Sequence, residues 1–205
     1  MLRMKPEEAR IVSHVCADGW LTSYIERNSL QIVNGRRYRR ERRRYCVGYC
    51  NTEKILLEEF KNDVRSVFGI KAVRIRSEIR FKSKRVFDRI SELGGGDSRH
   101  WFVSKAVKHS TKTVRRAWLR AFFDDEATVD MKTRRIRVKS MNQKGLMQVA
   151  AMLRNLRISC QFTGPNVDSS FYLTIPRNYV KSYLREVGFL HPPKAEKLNA
   201  IVSQI

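Results

Sequence analysis

One order of predicted helices and strands occurs twice along the chain. Each copy opens on an apolar stretch with helical spacing that ends in acidic residues, Ile11–Gly19 in the first copy and Leu119–Ala127 in the second. Two strands, a helix, two more strands and a final helix follow each opening stretch, because apolar residues recur there with periods near 2 and 3.6. The copies share pattern more than identity. The repeat therefore predicts an α+β fold of two pseudo-symmetric αββαββα halves.

The same repeat divides the chain into domains. The first predicted half covers residues 1–96 and ends in a run of three glycines, and the second covers 111–205. Residues 97–110 are rich in small and polar side chains and are predicted to be a linker. Trp101 and Phe102 in this linker are expected to pin it to the surface of the protein.

Asp18 and Glu126, the last acids of the two opening helices, are the candidate metal ligands. A carboxylate at the C-terminal end of a helix faces the negative end of the helix dipole. Two carboxylates that are brought together also repel each other. A bound divalent cation removes both costs, so the repeated pair predicts a shared metal site.

The charge of the chain predicts its partner. There are 42 Lys and Arg residues against 20 Asp and Glu residues, which gives a formal net charge of +22. This excess exceeds what solubility requires and favours a polyanionic partner, with nucleic acid as the first expectation. A ribosomal-type RNA-binding protein has the same kind of composition, and composition alone leaves it open.

The cysteines and apolar runs predict the compartment. The four cysteines have no spacing typical of a zinc site. The sequence has no signal peptide and no apolar run near the ~18 residues that a membrane span needs. We therefore expect a cytoplasmic, nucleoid-associated protein with reduced thiols and no membrane partner.

Several predicted strands, within residues 72–76, 79–82 and 134–139, alternate apolar residues with cations. The apolar face of each sheet must be covered by helices, which leaves the other face open and basic. Two such faces would form a long positive groove, although solvated charges are the ordinary alternative for any single strand. The cations assigned to DNA on this basis are Arg74, Arg76, Arg80, Lys82, Arg135, Arg137 and Lys139.

The densest charge is a run of seven arginines within residues 36–44. Such runs are typical of disordered arms or localisation signals. Because this run lies between two predicted strands, we predict a hairpin tip or loop that reaches along a nucleic-acid backbone and forms some bidentate bonds to guanine. The residues assigned to DNA here are Arg36, Arg37, Tyr38, Arg39 and Arg40.

The two opening helices resemble the paired signature of the LAGLIDADG homing endonucleases. The copy Leu119–Glu126 is the stronger one, and the first copy keeps Ala17, Asp18 and Gly19. The chain resembles the single-chain, archaeal intron-encoded type over nearly its whole length. That resemblance implies a saddle in which two antiparallel sheets bind DNA and the two signature helices pack together, and it implies a working monomer.

The chain departs from the family signature at three positions. Cys16 stands where the family usually has its first acid, Asp125 stands at a usually small position, and Ala127 stands where glycine is usual. The last acid of each signature, Asp18 and Glu126, is the important one in the family, and both are present.

The resemblance implies Mg²⁺-dependent hydrolysis of double-stranded DNA at a long, nearly asymmetric site, leaving short 3′ overhangs. By the same resemblance Asp18 and Glu126 hold the metal, Lys84 and Arg177 offset charge on the reacting phosphate, and Asn51 positions water. The gene is then expected in a mobile intron of a prokaryotic or archaeal host.

Three other functions stay open from the sequence. Some members of the family are maturases, so the intron RNA is a further partner to consider. A catalytically silent DNA-binding regulator could use the same scaffold, although the retention of both acids argues against it. A ribosomal-type protein would need neither the paired acids nor a metal.

Overall fold

The computed structural model describes residues 4–204 and contains the repeated element order that the sequence predicts. Each half has a helix, two strands, a helix, two strands and a helix. The helices are α1 Pro6–Cys16, α2 Lys54–Phe68, α3 Lys84–Glu92, α4 Lys105–Lys108, α5 Lys112–Glu126, α6 Gln143–Asn155, α7 Val180–Glu186 and α8 Pro192–Ser203. The strands are β1 Gly19–Val33, β2 Arg36–Cys50, β3 Val73–Ile75, β4 Glu78–Lys82, β5 Ala127–Asp130, β6 Arg135–Ser140, β7 Gln161–Thr163 and β8 Phe171–Ile175.

The strands form two antiparallel sheets with the same topology. The first has the order β1-β2-β4-β3 and the second the order β5-β6-β8-β7. Helices cover one face of each sheet, and we call the other the open face. Side chains alternate between these faces, as in β6, where Ile136 and Val138 are buried and the residues beside them are exposed. The expected α+β fold of two αββαββα halves is confirmed.

Helix α1 lies at the seam between two hydrophobic clusters. Ile11 and Val15 belong to the cluster of the first half, whereas Val12 and Cys16 belong to the cluster formed mainly by the second half. These residues alternate around the helix at spacings of three and four, so both sides of α1 are buried. Helices α1 and α5 therefore pack together as the shared centre of both halves.

The arginine run is part of a long strand, and the predicted hairpin tip or loop at residues 36–44 is wrong. Strands β1 and β2 pair over fifteen residues each and turn at Asn34 and Gly35, which have φ angles of 50° and 76°. Two successive positive φ angles match the favoured two-residue hairpin turn, for which Asn-Gly is the typical sequence. A strand of this length extends about 50 Å, so the arginines line a ribbon that projects from the core.

Strand β3 does not follow the predicted alternation. Val73 and Ile75 are 58% and 39% exposed, although the prediction placed them on the covered face. Arg74 pairs with the buried Ile79 and therefore lies on the helix-covered face, where its Nη1 is 3.1 Å from Glu58 Oε1. The inversion occurs because β3 is a three-residue edge strand that the helices cover only partly.

The segment 97–110 contributes to the core of the second half. Trp101, Val103 and Val107 are buried in that cluster, and Phe102 is exposed. Helix α4 lies within this segment and begins after Ser104, whose side chain accepts a bond from Val107 N. Between residues 4 and 204, no helix combines the length and the hydropathy that crossing a membrane requires.

Candidate active site

The ends of α1 and α5 bring Asp18 and Glu126 to one place. Asp18 follows Ala17, the C-cap residue of α1, and Glu126 is the last residue of α5. The strand that follows each acid is fixed by its sheet partner, through Gly19 with Tyr49 and Ala127 with Val138. Gly19 has no room for a side chain, since an added Cβ would lie 2.6 Å from Val15 Cα.

A pocket of about 390 Å³ opens at these helix ends. Asp18 and Asn51 face it from the first half, and Asp124 and Asp125 face it from the second. Its complete lining is Asp18, Cys50, Asn51, Thr52, Ser77, Asp124, Asp125 and His191. The pocket therefore draws on both halves, and of the two candidate metal ligands Asp18 lines it and Glu126 does not.

Asp18 and Glu126 hold protons more tightly than ordinary carboxyl groups do. Partial removal from water, followed by the charges of Asp18 and Asp125, raises the pKa of Glu126 to about 7. The same two causes, with Asp125 as the charged neighbour, raise the pKa of Asp18 to about 6 even though solvent reaches its side chain. Two partly desolvated carboxylates that repel each other are suited to a cation between them.

Asp125 has a buried carboxylate whose hydrogen-bond partners belong to the first half. Tyr49 OH donates to its Oδ1 at 2.7 Å, and Asn51 Nδ2 donates to the same oxygen at 3.1 Å. His14 Nδ1 lies 2.8 Å from its Oδ2, and neither of these two side chains has exposed surface. Asp125 therefore links the second half to α1 and β2 of the first.

His14 carries the positive charge that balances this carboxylate. Burial lowers the pKa of His14, but the charge and hydrogen bond of Asp125, with help from Glu59, outweigh burial and raise it to about 10. Glu59 on α2 lies 3.8 Å from His14 Nε2 and also pairs with Arg10 and Arg120. The centre of the molecule is thus a chain of alternating charges.

Lys194 and Asp124 fasten helix α8 to the end of α5. Lys194 Nζ donates to the main-chain oxygens of Asp124 and Asp125 at 2.5 Å and 3.0 Å, where it opposes the negative end of the α5 dipole. The Asp124 side chain accepts bonds from the main-chain N–H groups of Leu190 and His191 at 2.9 Å and 3.0 Å. Cys16 is the residue of α1 that corresponds to Asp124, and its Sγ donates to Gly94 O at 3.4 Å. In each half this residue is therefore bonded to the segment that follows the last helix of the half, α3 or α7.

Asn51 lies beside Asp18 at the wall of the pocket. Its Oδ1 accepts the main-chain N–H of Glu53 at 2.9 Å, which fixes one side of the amide. Its Nδ2 is bonded to Asp125 and lies 3.5 Å from Asp18 Oδ2. This orientation points the amide into the pocket.

Lys84 and Arg177, in contrast, are not brought to the acids. Lys84 begins α3 beyond the Lys82 end of β4, roughly 14 Å along the strand from the end that borders Cys50. Its Nζ lies 2.5 Å from Asp88 Oδ2. Arg177 likewise follows the end of β8 that is remote from Ala127. The structure places both cations away from the acids, because an antiparallel strand carries the chain away from the helix ends. Lys194 is a cation whose charge does act on both acids.

Most of the cations that the sequence predicts to bind DNA lie on the open faces of the two sheets. Arg80 and Lys82 lie on the first open face beside Gly48 and Cys46, and Arg36, Tyr38 and Arg40 continue it along the ribbon. Arg135, Arg137 and Lys139 lie on the second open face. Arg37 and Arg39 point to the reverse side of the ribbon, and Arg76 occupies the turn before β4 with a φ of 55°.

Two residues on these open faces were missed from the sequence. Tyr172 pairs with Lys139, and its ring lies 4.9 Å from the Arg137 guanidinium carbon. The Arg44 side chain is held against the ribbon by two hydrogen bonds: Nε donates to Glu26 Oε2 at 2.6 Å, and Nη2 donates to Ser29 Oγ at 3.1 Å. The period-2 alternation of their strands was the available signal for both residues.

The donor set fits a hard divalent cation that is shared with a substrate. Among residues 4–204, no group of three or more His, Cys, Asp or Glu side chains forms a metal site by itself. Mg²⁺ is commonly bound by one or two carboxylates together with substrate phosphates and water. Asp18 and Glu126 supply such a pair.

Comparison with known proteins agrees with this architecture. No family model and no curated protein matches the chain. A structural alignment with variants of the homing endonuclease I-DmoI covers 95% of this chain and 97% of the I-DmoI chain, with 16% sequence identity and a TM-score of 0.66. I-DmoI is also known in complex with DNA and Mn. The homing endonuclease I-WcaI, bound to its DNA recognition sequence, matches 97% of this chain and 88% of its own, with 11% identity and a TM-score of 0.58.

The same fold occurs in full-length DUF199/WhiA from Thermatoga maritima, at 11% identity and a TM-score of 0.56 over 100% of this chain and 62% of that one. The protein therefore has the fold of the homing endonucleases I-DmoI and I-WcaI. The architecture expected from the LAGLIDADG resemblance is confirmed, and at these identities the likeness establishes the fold.

The raised pKa values predict how Mg²⁺ should affect stability. The pKa of Glu126 rises from 4.5 to about 7, so the stability that its proton contributes is present below 4.5 and is lost as the pH rises through about 7. A cation that binds the ionised pair replaces this loss, so Mg²⁺ should raise the melting temperature more at pH 8 than at pH 5. Thermal melts in Mg²⁺ and in EDTA at both pH values measure the difference, and equal shifts would contradict a site at these carboxylates.

Proposed function

We propose that the protein is a site-specific endonuclease that hydrolyses phosphodiester bonds of double-stranded DNA with a divalent cation. One observation carries the proposal: Asp18 and Glu126 are partly desolvated carboxylates close enough for the charge of Asp18 to raise the pKa of Glu126, and each precedes the first strand of a sheet with an open, basic face. Lys194 opposes the charge of this pair, but both pKa values stay raised, so Lys194 compensates the pair only in part. Retention of both acids in a chain of net charge +22 fits a site that is completed by metal and phosphate.

Asp18 and Glu126 are the residues that would hold Mg²⁺, which supplies water activation and neutralises charge on the phosphate and the leaving oxygen. The Asn51 amide would orient a water molecule at the pocket wall, since its plane is fixed by Glu53 N and Asp125. Lys194 would limit the net negative charge of the site while its ammonium stays bonded to the end of α5. The repulsion between the acids keeps the site ready for a cation.

The two open faces would contact the DNA on both sides of the cleavage site. Their cations neutralise phosphates, and the ribbon has the width that a major groove admits. The first half offers strands of fifteen residues, whereas β5 and β6 have four and six. We infer that the recognition site is long and asymmetric and that it is bound by a monomer, because one chain supplies both halves. Short 3′ overhangs and a mobile-intron origin belong to the same proposal.

Cleavage of a plasmid library of host-derived and randomised DNA would test this function. The wild type is expected to linearise some plasmids at one site in Mg²⁺ and to leave the same DNA intact in EDTA. DNA binding without cutting in any divalent cation would favour the regulator. Preferential binding of structured intron RNA would favour the maturase.

Arg44 is expected to read a base. Its guanidinium is held by Glu26 and Ser29, which leaves Nη1 free in a fixed orientation. Arg44→Ala should cost about 1–3 kcal/mol of discrimination at one base pair of the site. Cleavage profiling on single-base variants of the target measures the effect. Lys61→Ala is the matched control, since Lys61 lies on the helix α2 side and pairs with Glu58; a uniform loss at all positions would assign Arg44 to phosphate instead.

A further inference from the structure

We propose that Asp125 is a positioning residue that holds the Asn51 amide beside Asp18 and thereby makes the Asp18 side and the Glu126 side of the site unequal. The catalytic consequence rests on the proposed endonuclease function, whereas the placement of Asn51 is a property of the protein alone. Asp125 belongs to the second half and Asn51 to the first, so the second half organises the pocket wall of its partner half.

The bonds around Asp125 fix the amide on both sides. Asn51 Oδ1 accepts the main-chain N–H of Glu53 at 2.9 Å, and Nδ2 donates to Asp125 Oδ1 at 3.1 Å. One N–H is used by Asp125, and the other faces Asp18 Oδ2, which is 3.5 Å from Nδ2. This second N–H lies at the limit of hydrogen-bond distance, so it stays available to water or to a phosphate oxygen in the pocket.

Asp125 is itself held rigidly. Tyr49 OH donates to the oxygen that also accepts from Asn51, and His14 occupies the other oxygen at 2.8 Å. The positive charge of His14 opposes the charge of Asp125 and limits the negative charge that the anchor adds beside Asp18. A supporting residue that is locked in this way keeps a functional side chain within a narrow range of positions.

The other half has no such anchor. Asp125 precedes Glu126 as Ala17 precedes Asp18, and an alanine side chain accepts no hydrogen bond. Asn51 follows the end of β2, and the corresponding place at the end of β6 is Ser140, whose Oγ accepts from Asn142 N at 3.1 Å. The positioned amide therefore exists on one side only, and the two DNA strands should be cut at different rates.

The test uses the variant His14→Leu/Asp125→Ala, which removes both buried charges together. The small side chain at 125 and the apolar side chain at 14 suit the close crossing of α1 and α5. A thermal melt checks the fold, and binding of uncut target in Ca²⁺ checks the interface. Target DNA with different labels on its two strands is then cleaved in Mg²⁺ under single-turnover conditions.

Loss of the anchor should slow the cut on one strand by about 10- to 100-fold and leave the other strand and the DNA affinity within about threefold. Asn51→Ala in the wild type should show the same strand-selective loss. In the double-variant background, Asn51→Ala should add less than about twofold, because its effect has already been removed. Equal slowing of both strands, unchanged rates, or full additivity of Asn51→Ala would overturn the inference.

A second readout does not depend on cleavage. The Asn51 side-chain N–H that donates to Asp125, assigned by its absence in Asn51→Ala, should give a slowly exchanging NMR signal in the wild type without metal or DNA. This signal should exchange rapidly in His14→Leu/Asp125→Ala, because the acceptor oxygen is gone. A protected signal in that variant would overturn the positioning role even if the enzyme cleaves DNA, whereas a wild type with no cleavage but a protected signal would overturn only the proposed function.

Discussion

Replacing Glu126 with glutamine should lower the rate of DNA cleavage by about 10³-fold or more while leaving DNA binding intact. The amide keeps the size of the side chain but supplies no negative charge, so the site loses half of its proposed carboxylate pair. Binding of uncut target should stay equal or become tighter, because one repulsion between protein and phosphate disappears. Single-turnover cleavage and electrophoretic binding assays on the same target measure the two effects separately.

Two further variants show whether this loss belongs to the metal site. Asp18→Asn should reproduce it, because Asp18 is the other member of the pair and raises the pKa of Glu126. Glu92→Gln makes the same chemical change at an exposed position of α3, on the helix-covered side of the first sheet, and it should leave cleavage unchanged. Wild-type cleavage by Glu126→Gln in Mg²⁺ would exclude Glu126 as a ligand.

The order of helices and strands and the meeting of the two acids were predictable because the signals are local. Periodicity within ten to fifteen residues determines which face of each element is buried. Gly69 closes α2 with a left-handed φ of 69°, as the sequence suggests. Asn34 and Gly35 also mark the hairpin tip in the sequence, because Asn-Gly is the typical pair of residues in a two-residue hairpin turn.

The buried polar contacts could not be predicted from local periodicity, because they join residues that are far apart in the sequence. His14 and Asp125 are 111 positions apart, and Lys194 reaches oxygens that are 69 to 71 positions away. An acid at a helix crossing is costly unless a partner is present, and that partner lies on another element. Arg74 was misplaced for a related reason, since the cover over an edge strand depends on where a distant helix ends.

Replacing His14 with alanine should lower the free energy of unfolding by about 3–5 kcal/mol, because it leaves the buried Asp125 carboxylate without its cation. Urea unfolding at pH 7 measures this loss. The exposed His109 is the control, and His109→Ala should stay within about 0.5 kcal/mol of the wild type.

The pH dependence of this loss identifies its cause. The pKa of His14 rises from 6.5 to about 10 on folding, so its charge contributes full stability below 6.5 and loses that contribution as the pH rises through about 10. The gap between the wild type and His14→Ala should therefore narrow as the pH rises from about 6.5 towards 10. A cavity left by the missing ring would destabilise equally at every pH. A constant gap would thus assign the effect to packing, whereas a narrowing gap requires that the centre of the molecule is held by charge.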